Sequence, residues 1–156
     1  MADPPHAPAP LVPELDVGDL DASLRFYVGV LGFSVVFQRP RERFAYLARE
    51  RAELMLQDAS GPGRRFRTAP LDHPFGRGIN LQIAVGNVDE LHERVLAAGL
   101  EPVVPIEERW YDVDVVTPSG RWMMQGPTRA GNRQFVIADP DGYLLRCFSS
   151  LGSLPV

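Results

Sequence analysis

The sequence predicts an α+β fold in which two repeated βαβββ modules form a cupped mixed sheet. Three observations carry that prediction. Val17-Gly-Asp-Leu-Asp21 and Val85-Gly-Asn-Val-Asp89 match almost letter for letter and mark an internal repeat. Each string follows an alternating apolar strand and opens a helical stripe. Three further strand candidates follow each helix. A helix after the first strand means a crossover, so each sheet must mix parallel with antiparallel neighbours.

The elements follow in order. Residues 1–10, rich in proline, read as a disordered or extended arm. Leu11 to Val17 alternates into the turn at Gly18-Asp19 and is a strand. The helix runs from Leu20 to Leu31, with Asp19 or Asp21 as cap, an apolar stripe of Leu20, Leu24, Tyr27 and Leu31, and Gly32 as its stop. Strands at Ser34 to Gln38, Phe44 to Ala48 and Ala52 to Gln57 complete module one, residues 11–58. A linker rich in Gly, Pro and Arg, residues 59–77, joins the copies. Module two, residues 78–151, repeats the order: a strand at Ile79 to Val85, a turn at Gly86-Asn87, a helix from Val88 to Ala98 stopped by Gly99, and strands at Pro102 to Pro105, Arg133 to Ala138 and Tyr143 to Phe148. Asp139-Pro-Asp-Gly142 is the turn of the last hairpin. Extra chain lies between Ile106 and Asn132, where Trp110 to Val116 alternates like one more strand and Pro118-Ser-Gly120 marks a turn. The two modules make a single domain over residues 11–151.

Composition narrows the classes. The chain has 156 residues, 45% of them hydrophobic, enough for one core. Sixteen Lys and Arg against twenty Asp and Glu leave a net charge of -4, which argues against a nucleic-acid partner and suits a cationic small molecule. Cys147 is the only cysteine, so no intrachain disulfide forms, and its apolar strand suggests a packed thiol. The first residues lack the basic start and apolar core of a signal peptide, and no apolar run approaches the roughly 18 residues of a membrane span. A cytoplasmic protein without a membrane partner is expected.

The repeated layout, with Pro13-Glu-Leu-Asp-Val17, Ser23-Leu-Arg-Phe-Tyr27, Leu31-Gly-Phe33, Glu42-Arg-Phe-Ala-Tyr46, Ala52-Glu-Leu-Met-Leu56, Gly76-Arg-Gly-Ile-Asn-Leu-Gln82 and Glu108-Arg-Trp-Tyr111, resembles the bleomycin-resistance branch of the glyoxalase or vicinal oxygen chelate superfamily. The resemblance covers Leu11 to Leu151. It implies the glyoxalase/bleomycin-resistance fold and a homodimer, in which Pro13 matches a hinge proline where relatives exchange their arms.

In the superfamily's metal enzymes the first and last strands of each module supply one ligand each, usually His or Gln followed by Glu. The matching positions here are Val12, Met55, Asn80 and Arg146. Val and Arg offer a divalent ion nothing, Met is a soft ligand and Asn alone is weak, so no metal and no cofactor are expected. His6 lies in the arm, His73 in the linker and His92 on a helix, without ligand spacing. No Ser or Cys is paired with a His and an acid as a triad would require. The glycines of residues 61–78 lack the strand, helix and Lys-Ser/Thr of a phosphate loop. No catalytic residue is expected.

Strand alternation places Leu11, Leu15, Val17, Leu54, Leu56, Ile79, Leu81 and Ile83 against the helices. The opposite faces present Val12, Glu14, Glu53, Met55, Gln57, Asn80, Gln82, Leu144, Arg146 and Phe148, a polar-studded cup suited to a small molecule. Arg146, a lone cation among apolar neighbours, needs a ligand, water or an acid such as Glu14 or Glu53. Trp110, Asp112 and Asp114 share one strand face, either as a receptor for a flat or cationic group or as a solvated edge. Phe44 and Tyr46 follow the charged loop Arg39 to Arg43, and the resemblance implies that Phe44 stacks on a bithiazole, with core packing as the alternative. Relatives carry a second stacking tryptophan where this chain has Gly131; Trp110 and Trp122 are the available substitutes. The expected ligand-binding set is Phe44, Tyr46, Glu53, Asn80, Trp110, Asp112 and Arg146. Two functions stay open: metal-free sequestration of a bleomycin-type or other small, flat or cationic antibiotic by a homodimer, and a superfamily lyase, isomerase or thiol transferase with a rebuilt site.

Overall fold

The computed structural model describes residues 7–113 and 128–155. Module one comprises β1 (Glu14–Val17), α1 (Leu20–Leu24) continued by a π-helical turn (Arg25–Val30), β2 (Ser34–Arg39), β3 (Phe44–Arg49) and β4 (Ala52–Asp58). Module two comprises β5 (Asn80–Ala84), α2 (Val88–Ala97), β6 (Val104–Val113), β7 (Thr128–Ala138) and β8 (Leu144–Pro155). The sheets have the same order, β1-β4-β3-β2 and β5-β8-β7-β6, with the first and last strands of each module parallel and the rest antiparallel. The α+β fold with a repeated βαβββ unit is therefore what forms, as two four-stranded mixed sheets.

The helix signals act as read. The Asp19 carboxylate accepts from the N–H groups of Asp21 and Ala22 at the start of α1, and Gly32 (φ 76°) ends that helix. The helix differs from a regular one in its second half, where Leu31 N–H reaches back to the Phe26 carbonyl at 3.0 Å. Two consecutive rings of this wider turn, Phe26 and Tyr27, are buried in the core. Leu15, Val17, Leu54, Leu56 and Ile83 are buried on the helix side as predicted. Leu11 and Ile79 are not: they are 85% and 49% exposed because each precedes its strand, where alternation no longer assigns a face. In place of separate strands at Pro102 to Pro105 and from Trp110 on, the described residues Val104–Val113 form one strand, β6, with a register shift between Val104 and Glu107 that accommodates Pro105 on the sheet edge; residues 114–116 of the second expected strand lie outside the described residues. β8 continues past Phe148 to Pro155 against the first residues of β7.

The modules brace each other at equivalent points of the repeat. Gly18 N–H, after β1, donates to the Asp141 carboxylate in the β7–β8 turn at 2.9 Å; Gly86 N–H, after β5, donates to Glu50 in the β3–β4 turn at 3.1 Å. One core spans both halves, from Leu15, Tyr27 and Leu56 to Val95, Phe135 and Cys147. Burial pushes the Cys147 thiol up to about 12, the state of a packing residue.

Candidate functional site

The faces turned away from the helices carry the candidate site. In module one the strand register lays two rows across the sheet: Phe37, Tyr46, Met55 and Glu14, then Arg39, Phe44, Gln57 and Asp16. Phe37 stacks on Tyr46 with ring centroids 5.0 Å apart and lies 6.0 Å from Phe44. The Arg39 guanidinium sits 3.9 Å above the Phe44 ring. Phe44 is 2% and Tyr46 5% exposed, whereas Phe37 is 43% exposed. Phe37 and Arg39 were not among the sequence candidates. The signal was present, since β2 pairs with β3 and Phe37 falls opposite Tyr46, but the register could not be known beforehand.

Tyr46 and Glu53 are brought together. The Tyr46 hydroxyl donates to Glu53 Oε2 at 2.5 Å, and the same oxygen accepts the Ala9 N–H of the arm at 2.9 Å. Burial first, and then the bond to Glu53, push the tyrosine up to about 12, so it remains a donor at all ordinary pH. Gln57, read as lining the cup, is instead buried under the linker, where Gly63 packs so closely that a Cβ would fall 2.1 Å from its amide nitrogen. Arg67 closes the same end, its Nε 2.7 Å from Asp16.

In module two the corresponding rows are Asn80, Leu144 and Ala138; Gln82, Arg146, Val136 and Val104; and Ala84, Phe148, Gln134 and Glu107. Arg146 is half-buried, and its Nη2 donates to the side-chain carbonyl of Gln82. Neither acid considered for it is its partner: Glu53 is engaged at Tyr46, and Glu14 is exposed on β1. Gln134 donates to Glu107 and to the Tyr111 hydroxyl, each at 3.2 Å. Trp110 and Asp112 do share a face, but it is that of Arg133 and Phe135, opposite to Arg146 and Asn80. Phe135 is in the core against His92 of α2, which fixes that side. Asp112 pairs with Arg129 at 3.1 Å, and Trp110 lies directly over Gly131, where a Cβ would fall 2.6 Å from the indole. Asp114 and Trp122 lie outside the described residues.

A cavity of about 290 Å³ opens where the modules meet, lined by Ala9, Leu11, Pro13 and Glu53 from one side and by Leu81 and Gln82 from the other. The four positions matching the superfamily's metal ligands do not fit a divalent ion. Val12 has no donor, Asn80 is a lone amide, and Arg146 is a cation held by an amide. Met55 offers only a thioether, and its strand is held to the chain near Val12 by a bond from its N–H to the Pro13 carbonyl at 2.8 Å. Among the described residues no group of three or more His, Cys, Asp or Glu side chains is arranged for a metal.

Near the linker, Asp58 is 3% exposed and held by Arg43 (Nε to Oδ2, 2.6 Å) and by the N–H and hydroxyl of Ser60. Burial alone would raise this carboxyl, but these partners outweigh it and lower it from 3.8 to about 2. A folded-state value below the unfolded one stabilises the protein above pH ~4, and that contribution fades as pH falls towards 2. Because Arg43 is part-exposed, its size is set at about 1 kcal/mol. Urea titrations between pH 5 and 2 are expected to show a steeper acid loss for the wild type than for Asp58→Asn; parallel curves would contradict this.

Two mixed sheets in tandem, each crossed by one helix and offering a polar and aromatic outer face, define the class of small βαβββ cup proteins. The chain belongs to the Glyoxalase/Bleomycin resistance protein/Dioxygenase superfamily, whose family model matches residues 12–147. It is 28% identical over 151 residues to bleomycin resistance proteins of Geobacillus stearothermophilus and Staphylococcus aureus, covering 91% of this chain and 97% of each relative. Among solved structures it shares the fold of TioX from Micromonospora sp. ML1 (22% identity, TM-score 0.60, 90% of this chain and 95% of that one). A protein of unknown function from Agrobacterium tumefaciens str. C58 also has this fold (20% identity, TM-score 0.61, 94% and 97%). Among the described residues no helix is long and apolar enough to cross a membrane.

Proposed function

We propose that the protein is a cytoplasmic homodimer that binds a flat antibiotic of the bleomycin type and holds it without metal or chemical change. The observation that carries this reading is the aromatic platform of module one. Phe37 lies on Tyr46 and against Phe44, Arg39 covers one ring, and the Glu53 carboxylate stands beside the tyrosine. Such a surface stacks a planar heteroaromatic group and offers an acid to a cationic tail. The curated relatives named as bleomycin resistance proteins support the ligand class.

Dimerisation gives each cup a second wall. The arm around Pro13, held to Met55 and Glu53 by backbone groups, is the segment that a partner would exchange. Calorimetric titration with metal-free and copper-bound bleomycin is expected to give one saturable site per chain, and sedimentation a dimer. No heat and no thermal shift at high-micromolar drug would sink the assignment. Elemental analysis of the purified protein separates it from a superfamily metalloenzyme, which would carry stoichiometric divalent metal.

A further inference from the structure

Arg146 carries a charge that no described residue neutralises. It sits in the middle of β8 on the cup face, level with Gln82 on β5 and Val136 on β7. Its one hydrogen-bond partner among the described residues is the neutral Gln82 side chain, and its Nε is buried without a partner. Among the described residues no carboxylate forms an ion pair with it. The nearest acid of the module-two face, Glu107, is two strands away and accepts from Gln134. The surroundings are otherwise apolar or amide: Leu144 and Phe148 on the same strand face, and Asn80 one row along. Gln82, which holds the guanidinium, also lines the cavity between the modules.

We propose that Arg146, oriented by Gln82, binds a carboxylate borne by the small-molecule ligand. A guanidinium is a planar fork that matches a carboxylate, and a hydrogen bond from one of its nitrogens to a fixed amide sets the plane of that fork. A buried or half-buried cation given only a neutral acceptor is an incomplete pair, and an anionic ligand completes it. Leu144 and Phe148 flank the charge with apolar surface, so the class that fits is a carboxylate on a flat apolar body. Glu53, the acid that also lines the cavity, accepts from the Tyr46 hydroxyl and the Ala9 N–H rather than from Arg146. The inference rests on the protein's binding a small molecule in its cup; it does not require that the molecule be bleomycin.

The test is a titration of the full chain with benzoate and with benzamide, its uncharged isostere, followed by NMR. Benzoate at millimolar concentration is expected to shift the Arg146 Nε–H resonance and to bind about tenfold or more tightly than benzamide. Arg146→Gln is expected to remove the preference, and Arg146→Lys to keep part of it. Equal binding of the two probes, no response to benzoate, or a preference unchanged in R146Q overturns the proposal. The wild-type resonance reads the site directly, so the result does not depend on how well a variant folds. A protein that binds bleomycin but does not prefer benzoate refutes the carboxylate site alone, and one with the opposite behaviour refutes the antibiotic alone.

Discussion

Asp139→Ala is expected to lower the unfolding free energy by about 4 kcal/mol, on the order of 10 °C in melting temperature. The residue opens the turn between β7 and β8, where Oδ1 accepts the N–H groups of Asp141 (3.0 Å) and Tyr143 (2.9 Å). Oδ2 accepts the hydroxyl of Tyr27, from the first module's helix, at 2.9 Å. Removing the carboxylate frees a turn and also orphans a fully buried hydroxyl, which costs more than the lost bond itself. Asp139→Asn separates these causes. Its carbonyl still serves the two N–H groups and its amide meets the tyrosine oxygen, so a cost below about 1 kcal/mol is expected.

The acid also has a pH signature. Burial is the largest influence on Asp139 and raises its carboxyl above the usual range, against the hydrogen bonds that lower it. A folded value above the unfolded one means that the ionised group works against folding at neutral pH and stops doing so in acid. The cost of the asparagine substitution relative to wild type should therefore be smallest at neutral pH and grow as pH falls. Urea unfolding of the three proteins at neutral and mildly acid pH measures it, and an alanine variant as stable as wild type would refute the joint.

That joint shows where sequence reading stops. The repeat, both helix starts and both glycine stops are local signals: a side-chain oxygen capping an N–H three residues on, or a glycine at positive φ, is written in a few consecutive letters. Asp139-Pro-Asp-Gly142 was equally legible as a turn. Its tie to Tyr27, across 112 positions, was not, because nothing near Tyr27 announces a buried acid from the other module. Faces failed in the same way. Alternation gave the right side for Leu15, Leu54 and Ile83, which lie inside paired strands, and misled at Leu11 and Ile79, which lie outside them. Trp110 kept company with Asp112 as read, but which side of the sheet they share depends on the pairing with Gly131 and Arg129. Pairing is a tertiary fact.

The same distinction decides how the antibiotic reading is best tested. Phe44 is the residue that the resemblance singles out, yet it is 2% exposed, and truncating so buried a ring costs about 3–5 kcal/mol of stability whatever it binds. A loss of affinity in Phe44→Ala would not separate a binding role from a folding one. Phe37→Ala does. Its ring is 43% exposed on the edge strand β2 and rests on Tyr46, so its removal should cost about 1 kcal/mol of stability while uncovering the outer layer of the platform. If a planar group of the drug stacks there, bleomycin affinity should fall about 10- to 100-fold in a protein that melts close to wild type. Phe37→Tyr, which keeps a ring of the same shape, should recover most of that affinity. Calorimetry on the three proteins reads the outcome, and unchanged affinity in Phe37→Ala would move the binding surface off module one altogether.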